Sequence, residues 1–308
     1  MSPFEVQLLG TNSALPAFGR HPTSQVLTIQ KYKYLIDCGE GTQMRFQQFG
    51  IRPGRMHQIF ISHLHGDHFY GLIGLLTTLG LIGRTKPLDV FAPEGLEEII
   101  RIQTKYAGGD PPFKLRFHVV DTEKHQLIYE NNQITVHSIP LDHRVPTAGF
   151  LFREKPKDRK MIGAAIEQYG IPYKAIPDIK KGADFTDANG QIIANALLTE
   201  DPIPPRTYAY CSDTRFKEDI IPIIEGADIL YHESTFQSDL IEKTIPTGHS
   251  TARQAAEIAK RAKVGRLILG HFSSRYENIE SFAEEAKTVF PDVVAGVEGT
   301  IYQPLTGS

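Results

Sequence analysis

Residues 60–71 read FISHLHGDHFYG, and four side chains in six positions, His63, His65, Asp67 and His68, are all of metal-binding type. Imidazole rings are costly to crowd, since they compete for solvation and repel when protonated, so the grouping needs a function. On a helix, 63 and 67 would share a face and 65 would point away; on a strand, 63, 65 and 67 would align and 68 would not. A tight turn after the apolar run QIFIS, eased by Gly66, lets all four converge. Imidazole with carboxylate suits Zn2+, Mn2+ or Fe2+. Four ligands from six residues enclose one tetrahedral ion poorly. They serve two ions about 3.5–4 Å apart better, provided distant residues complete both sets.

The distant candidates share a context. His143, in IPLDHRVPT, follows a strand pattern and precedes a proline turn, while Asp213 in AYCSDT and His271 in LILGHFS each end an apolar run. A carboxylate at 213 can bridge two ions through its two oxygens. A lone histidine at a strand end is more often a surface residue than a ligand; the H-x-H-x-D-H spacing makes the metal reading the stronger one. His21, His57, His118, His125, His137 and His232 sit in no such grouping. His118 and His137, in apparent strands, are read as structural.

These side chains must be carried by strands. FEVQLLG (4–10), SQVLTIQ (24–30), KYLIDCG (33–39), QIFIS (58–62), LDVFA (88–92), TYAYCSD (207–213), DILYHE (228–233) and RLILGH (266–271) all read as strands. LRFHVV, QLIYE and ITVHSI, between 115 and 139, read as antiparallel strands with ENNQ as a turn. Helical patterns occupy 41–50, 70–82, 94–106, a stretch near 216–225, and 250–262. The last opens with Thr251 and Gln254 spaced as a capping box.

The chain has 308 residues, a formal net charge of −3 and two cysteines, Cys38 and Cys211. No global basic field announces a nucleic acid, so a polyanionic substrate needs local cations. Two distant cysteines make no disulfide framework. FYGLIGLLTTLGLIG (69–83) is too short to span a bilayer, and MSPFEVQLLG lacks the basic and apolar regions of a signal peptide. A cytoplasmic protein is expected. Residues 153–181 hold eight Lys/Arg against four Asp/Glu, a basic segment in a slightly acidic chain that reads as a binding arm ahead of a bland insertion.

HLHGDH resembles the signature of the metallo-β-lactamase superfamily. With LIDCGEGTQ, SDT, HESTF, GHST and LGHFSSRY, the chain resembles the ribonuclease Z family from about residue 5 to 300. That resemblance implies an α/β fold, the αβ/βα four-layer sandwich, with residues 153–186 inserted as a protruding arm. It implies two Zn2+ per subunit, with Mn2+ or Fe2+ as substitutes: one on His63, His65 and His143, the other on Asp67, His68 and His271, with Asp213 bridging. It also implies precursor tRNA as substrate, cut to remove the 3′ trailer, and a homodimer in which one subunit's arm holds the tRNA cut by the other. Many members carry a P-x-K-x-R-N loop associated with rejecting tRNA that ends in CCA. PAFGRHP (16–22) keeps Pro16 and Arg20 but has Phe18 and His21 in place of lysine and asparagine.

On this reading Asp67 accepts a proton from the attacking water, His249 donates one to the leaving 3′-oxygen, and Glu233 orients His249. Asp37, another strand-end acid, is expected to orient a ligand from behind. Candidate phosphate contacts are Arg20, Lys155, Lys157, Lys160, Lys174, Lys180, Lys181 and Arg275. The competing readings are a small-molecule hydrolase on the same fold, which needs no arm, and a non-catalytic RNA-binding or metal-storage protein, which needs no acid.

Overall fold

The structure, a computed structural model, describes residues 2–305. It divides into two compact units, one of Met1–Asn131, Thr135–Phe152 and Arg206–Ser308, the other of Asn132–Ile134 and Arg153–Pro205.

The larger unit is built on two seven-stranded sheets. The first runs in the order Ile301–Tyr302, Phe4–Gly10, Ser24–Ile29, Tyr32–Cys38, Met56–Phe60, Leu88–Ala92, Leu115–Val119. Its first three pairings are antiparallel and its last three parallel. The second runs Val293–Ala295, Arg266–Gly270, Ile229–Glu233, Thr207–Cys211, Ala148–Glu154, Ile134–Pro140, Leu127–Glu130, with parallel pairing among its first four strands. The central parallel strands are continuous apolar runs because both faces are covered. Leu35, Ile59 and Val90 pack under the helices Thr42–Gln48, Gly71–Leu81 and Leu96–Tyr106. Ala209, Leu230 and Leu267 pack under Ala252–Arg261 and Glu280–Lys287. The opposite faces meet through aromatic rings: Phe60 lies 5.4 Å from Phe150 and 5.2 Å from Phe152, and Tyr34 5.9 Å from Phe152. Removing one such ring costs about 3–5 kcal/mol. Helix, sheet, sheet and helix make the four expected layers.

Most elements fall where the residue pattern puts them, including the capping box, in which Thr251 Oγ1 accepts from Gln254 N–H and Gln254 Oε1 from Thr251 N–H. Two expectations fail. Leu115–Val119 does not pair with the strands after it but lies parallel to Leu88–Ala92 at the first sheet's edge; only Leu127–Glu130 and Ile134–Pro140 form a hairpin. A half-exposed parallel edge strand alternates like an antiparallel one, so the pattern alone does not separate them. The stretch near 216–225 is a 3-10 turn, Glu218–Ile220, followed by one helical turn, Ile221–Ile224. Pro222 fits only a helix start, and Gly226, at φ 68°, ends it. Both cysteines are free and buried, and burial pushes the Cys38 thiol up to about 12. Among the described residues no helix is long and apolar enough to cross a membrane.

The smaller unit has its own core of Ala165, Ile171, Ile179, Ile193 and Leu198 and two short strand pairs, Lys160–Met161 with Thr199–Glu200 and Phe185–Thr186 with Ile192–Ile193. It runs past residue 186 to Pro205; Asp184 and, in the added stretch, Asp187, Glu200 and Asp201 follow the basic run. Eight cations then meet eight acids, and the unit is neutral over 153–205. Arg159 pairs with Asp201, and Lys160 with Glu200 at 3.1 Å.

Candidate metal centre

The strand Met56–Phe60 ends just before the histidine loop, and His65, in extended conformation, starts the single helical turn Gly66–Phe69. One loop therefore offers His63, His65, Asp67 and His68 in four directions. Asp213 and His271 follow the ends of two parallel strands of the second sheet that flank Ile229–Glu233. His271 has φ 58° and Asp37 φ 54°, left-handed values that cost a non-glycine residue about 1–3 kcal/mol. Both residues turn functional groups into the cluster.

Five imidazoles and two carboxylates converge. His65 Nδ1 lies 3.1 Å from His63 Nε2 and 3.2 Å from His143 Nε2. Asp213 Oδ2 lies 3.6 and 3.7 Å from the same two Nε2 atoms. On the other side, His68 Nε2 and His271 Nε2 are 3.3 Å apart, and Asp67 Oδ2 is 3.5 and 3.4 Å from them. Asp213 Oδ1 faces this second pair at 3.4 and 3.3 Å. Each Asp213 oxygen thus serves one set. Ligands about 2.0–2.1 Å from a tetrahedral zinc lie about 3.3–3.4 Å from one another, so both sets have the spacing to hold an ion.

The far sides of four of the five rings are fixed. His143 Nδ1 donates to the Gly248 carbonyl at 2.7 Å, His68 Nδ1 to Asp37 Oδ2 at 2.7 Å, and His271 Nδ1 to Thr235 Oγ1 at 3.0 Å. The Ser62 hydroxyl donates to Asp37 Oδ2 at 2.8 Å and accepts from His63 Nδ1 at 3.0 Å. These bonds set the tautomers so that the Nε2 of each of these four rings turns its lone pair inward. Lone pairs facing one another at such distances demand a cation. The electrostatics agree. Burial, with His68 next, holds His63 well below the ordinary imidazole range, and burial lowers His143 to about 4. For His68 burial acts the other way from the outcome: Asp213, Asp67 and Asp37 outweigh it and raise the ring well above its usual value. Burial also opposes ionisation of Asp67 and Asp213, yet the imidazoles around them hold both carboxyls low. The donor set fits one or two divalent ions of the zinc type.

Glu233 and His249 flank this cluster. His249 Nδ1 donates to Glu233 Oε1 at 2.9 Å, so its Nε2 is the nitrogen left for the cavity it lines. Glu233 is fully buried and also accepts from Ser250 N–H and Thr214 N–H on Oε1, and from Thr235 N–H and Oγ1–H on Oε2. Burial disfavours protonation of His249, but the Glu233 carboxylate outweighs it and raises the ring.

Asp67, His249 and Glu233 are thus brought to one place with all seven metal-type side chains. Arg20 is turned elsewhere: its guanidinium donates to Asn12 Oδ1 at 2.9 Å and to the carbonyls of Glu277 and Tyr276 at 3.0 and 2.6 Å, pinning the 12–22 loop. His21 binds Glu298. Arg275 is exposed, with Nη1 3.4 Å from Ser273 Oγ. In the smaller unit, Lys174 and Lys181 are exposed, Lys155 and Lys180 half-buried, and Lys157 and Lys160 face Glu154 and Glu200. Residue-type reasoning overlooked Ser62, Thr235 and Tyr210, whose hydroxyl donates to Asp37 Oδ2. The sole hint of them is adjacency to ligand motifs, in ISHLH, HEST and AYCSD. It also passed over Tyr70 and Arg144, which line the cavity of about 350 Å3 in front of Asp67, Asp213 and His271.

Comparison with known proteins places this arrangement. Residues 4–161 match the family model described as anti-Pycsar protein Apyc1. Over nearly the whole chain, the ribonuclease Z of Porphyromonas gingivalis is 46% identical across 298 residues, 97% of this chain and 98% of its own. The ribonuclease Z of Parabacteroides distasonis is 44% identical across 299 residues, with 97% and 98% covered. The chain belongs to the ribonuclease Z family. The crystal structure of human tRNase Z, short form, is 25% identical with TM-score 0.71, covering 98% of this chain and 100% of that one. YhfI of Bacillus subtilis, described as a metallo-β-lactamase fold protein, has TM-score 0.67 at 20% identity, covering 98% and 99%, a likeness of fold.

In this member of the ribonuclease Z family, Asp37 holds the cluster from behind, also accepting from Ser62 N–H on Oδ1 at 2.7 Å. Asp37→Ala leaves the Ser62 N–H, Tyr210 O–H and His68 Nδ1–H without their acceptor and is expected to cost about 3–5 kcal/mol in urea unfolding. A loss under about 1 kcal/mol would show that water replaces the carboxylate.

Proposed function

We propose that this chain is a zinc-dependent endoribonuclease that removes the 3′ trailer from precursor tRNA, leaving a 3′-hydroxyl on the tRNA and a 5′-phosphate on the trailer. The observation that carries the reading is the bridging placement of Asp213 between two donor sets, with the His249–Glu233 pair beside them in a chain of this family. Zinc held by His63, His65 and His143, and by Asp67, His68 and His271, would lend Lewis acidity at the scissile phosphate and make water a better nucleophile.

The side chains do the rest. Asp67 Oδ2 accepts from Ala14 N–H at 2.8 Å and faces His68 and His271, which leaves Oδ1 to take the proton of the attacking water. As the water oxygen bonds to phosphorus, the bond to the 3′-oxygen breaks, and His249 Nε2 protonates that oxygen. Glu233 holds His249 in its acid form and stabilises its charge. Relatives that match 97% of this chain take in residues 153–205, a unit for which a small phosphodiester substrate has no use. We read that unit as the arm that grips tRNA, through Lys174, Lys180 and Lys181, in a cytoplasmic homodimer.

Incubating the protein with one precursor tRNA and mapping the cut tests the core of this reading. Cleavage at the 3′ end of the acceptor stem is expected, abolished by chelator and restored by Zn2+; cleavage untouched by chelator would defeat it. His249→Ala is expected to lower turnover about 10²–10⁴-fold while bound metal, measured by atomic spectroscopy, stays the same. Replacing Lys174, Lys180 and Lys181 together by alanine is expected to raise KM and reduce the salt slope of tRNA binding by up to about three. An unchanged slope removes these lysines from the contact.

A further inference from the structure

Among the residues that line the cavity before the cluster and that the reaction scheme does not use are Tyr70 and Arg144. Tyr70 is 62% exposed, unusual for a large ring beside a catalytic centre, yet it is not loose. A Cβ on Gly66 would lie 2.2 Å from the Tyr70 ring, so the ring rests directly on the backbone of the metal-binding turn. Phe69 supports it edge-on, with centroids 4.8 Å apart and planes at 66°. The ring's position is therefore tied to that of Asp67, one residue from the glycine beneath it. Pro16 and Pro22 line the same cavity and add further apolar surface.

Arg144 follows His143 and is exposed; its guanidinium has no acid or carbonyl partner among the described residues. Its charge acts on His65 and on His249, and its Cγ lies 3.3 Å from where a Cβ on Gly248 would sit, which places it beside the first donor set and the His249 ring. Apart from histidine it is the sole cationic lining residue; Glu40, exposed, is an acid at the same cavity. A fixed aromatic surface and an unpaired guanidinium beside a phosphodiester-cutting centre match the two parts of one unpaired nucleotide, its base and its phosphate. Bases of single-stranded RNA stack on such rings whatever their identity.

We propose that Tyr70 is a stacking platform for the base of the nucleotide next to the scissile bond, and that Arg144 holds an adjoining phosphate. The inference rests on the RNA-cleaving reading above and adds the residues that seat the unpaired end. It explains why the turn carries Gly66, since any side chain there would displace the ring. Stacking fixes the nucleotide without reading its sequence, as a trimming enzyme that meets many trailers requires.

The test uses full-length, zinc-loaded protein and precursor tRNA carrying 2-aminopurine beside the cleavage site. Tyr70→Ala is expected to raise KM about 5- to 150-fold, the equivalent of one base stack, with kcat within about threefold. Tyr70→Phe stays within about threefold of the parent in KM. Wild type and Tyr70→Phe quench the 2-aminopurine on binding; Tyr70→Ala and Tyr70→Leu do not, the leucine variant keeping apolar bulk over Gly66. Arg144→Ala raises KM and lowers the salt slope by about one, and Arg144→Lys restores the slope. Unfolding midpoint and zinc content are checked for each variant. The platform is overturned if Tyr70→Ala matches wild type in KM and quenching, or if Tyr70→Phe is as weak as Tyr70→Ala, which would assign the role to the hydroxyl. If the wild type cuts no precursor tRNA, the functional reading fails by itself. Quenching of a 2-aminopurine single-stranded RNA by wild type but not Tyr70→Ala would still uphold the platform, and equal quenching would overturn it.

Discussion

Five imidazoles whose inward nitrogens stand 3.1 to 3.7 Å from one another or from a carboxylate cannot be neutral and content in a buried pocket. Lone pairs at that range repel, and in low dielectric the repulsion is poorly screened. Buried acids surround them: Asp37 and Glu233 are fully buried and Asp213 nearly so. Protons on the rings or divalent ions between them must supply the positive charge. The rest of the larger unit can be read as the scaffold that holds these groups at that spacing.

That scaffold acts from the side away from the pocket. A metal-binding histidine needs its second nitrogen occupied, or the ring turns and the tautomer is lost. Here four rings are fixed by four different groups: a buried carboxylate, a serine hydroxyl, a threonine hydroxyl and a glycine carbonyl. The glycine is the most constrained of these. Gly248 has φ +78°, and a Cβ there would lie 2.7 Å from His143 Nδ1, so the residue before His249 must be glycine if His143 is to be held. GHST therefore fixes the His143 ring through its first residue, supplies the Glu233-bound imidazole through its second and starts a helix through its fourth.

How much of this could be read from residue types follows from what each signal measures. The parallel strands were legible because burial on both faces leaves an unbroken apolar run, and His63 to His68 because crowded imidazoles have few other uses. Asp213 and His271 were legible only as strand-end residues of the right type. Their convergence is a product of parallel pairing, which sets Cys211 beside His232 and Glu233 beside Gly270 and so brings both strand ends to one edge. Ser62, Thr235 and Tyr210 were not legible, because a hydroxyl that orients a ligand has the composition of any other hydroxyl. The charge balance of residues 153–205 was not legible for a different reason. The basic excess at 153–181 is real, but the four acids that cancel it follow that run, three of them past the expected boundary at 186, and two of them pair with Arg159 and Lys160.

The same coupling bears on how such a site can change. Glu233 accepts five hydrogen bonds, and through Thr235 and His249 it touches both the second donor set and the imidazole beside it. A substitution there disturbs the anchoring of His271 and of His249 together, so the two cannot be tuned separately from that position. Tyr70, Arg144 and the 12–22 loop stand apart: they line the cavity or its surroundings, and none of them supplies an inward-facing nitrogen. Substitution at such positions leaves the seven donor side chains and the groups that hold them in place. Phe18 and His21, where the family pattern has lysine and asparagine, obey that rule, since His21 is absorbed by Glu298 and Phe18 lies under Arg20 at 5.2 Å. In this member the loop's cation is tied to aromatic and backbone partners, and the nearest unpaired positive charge at the cavity belongs to Arg144.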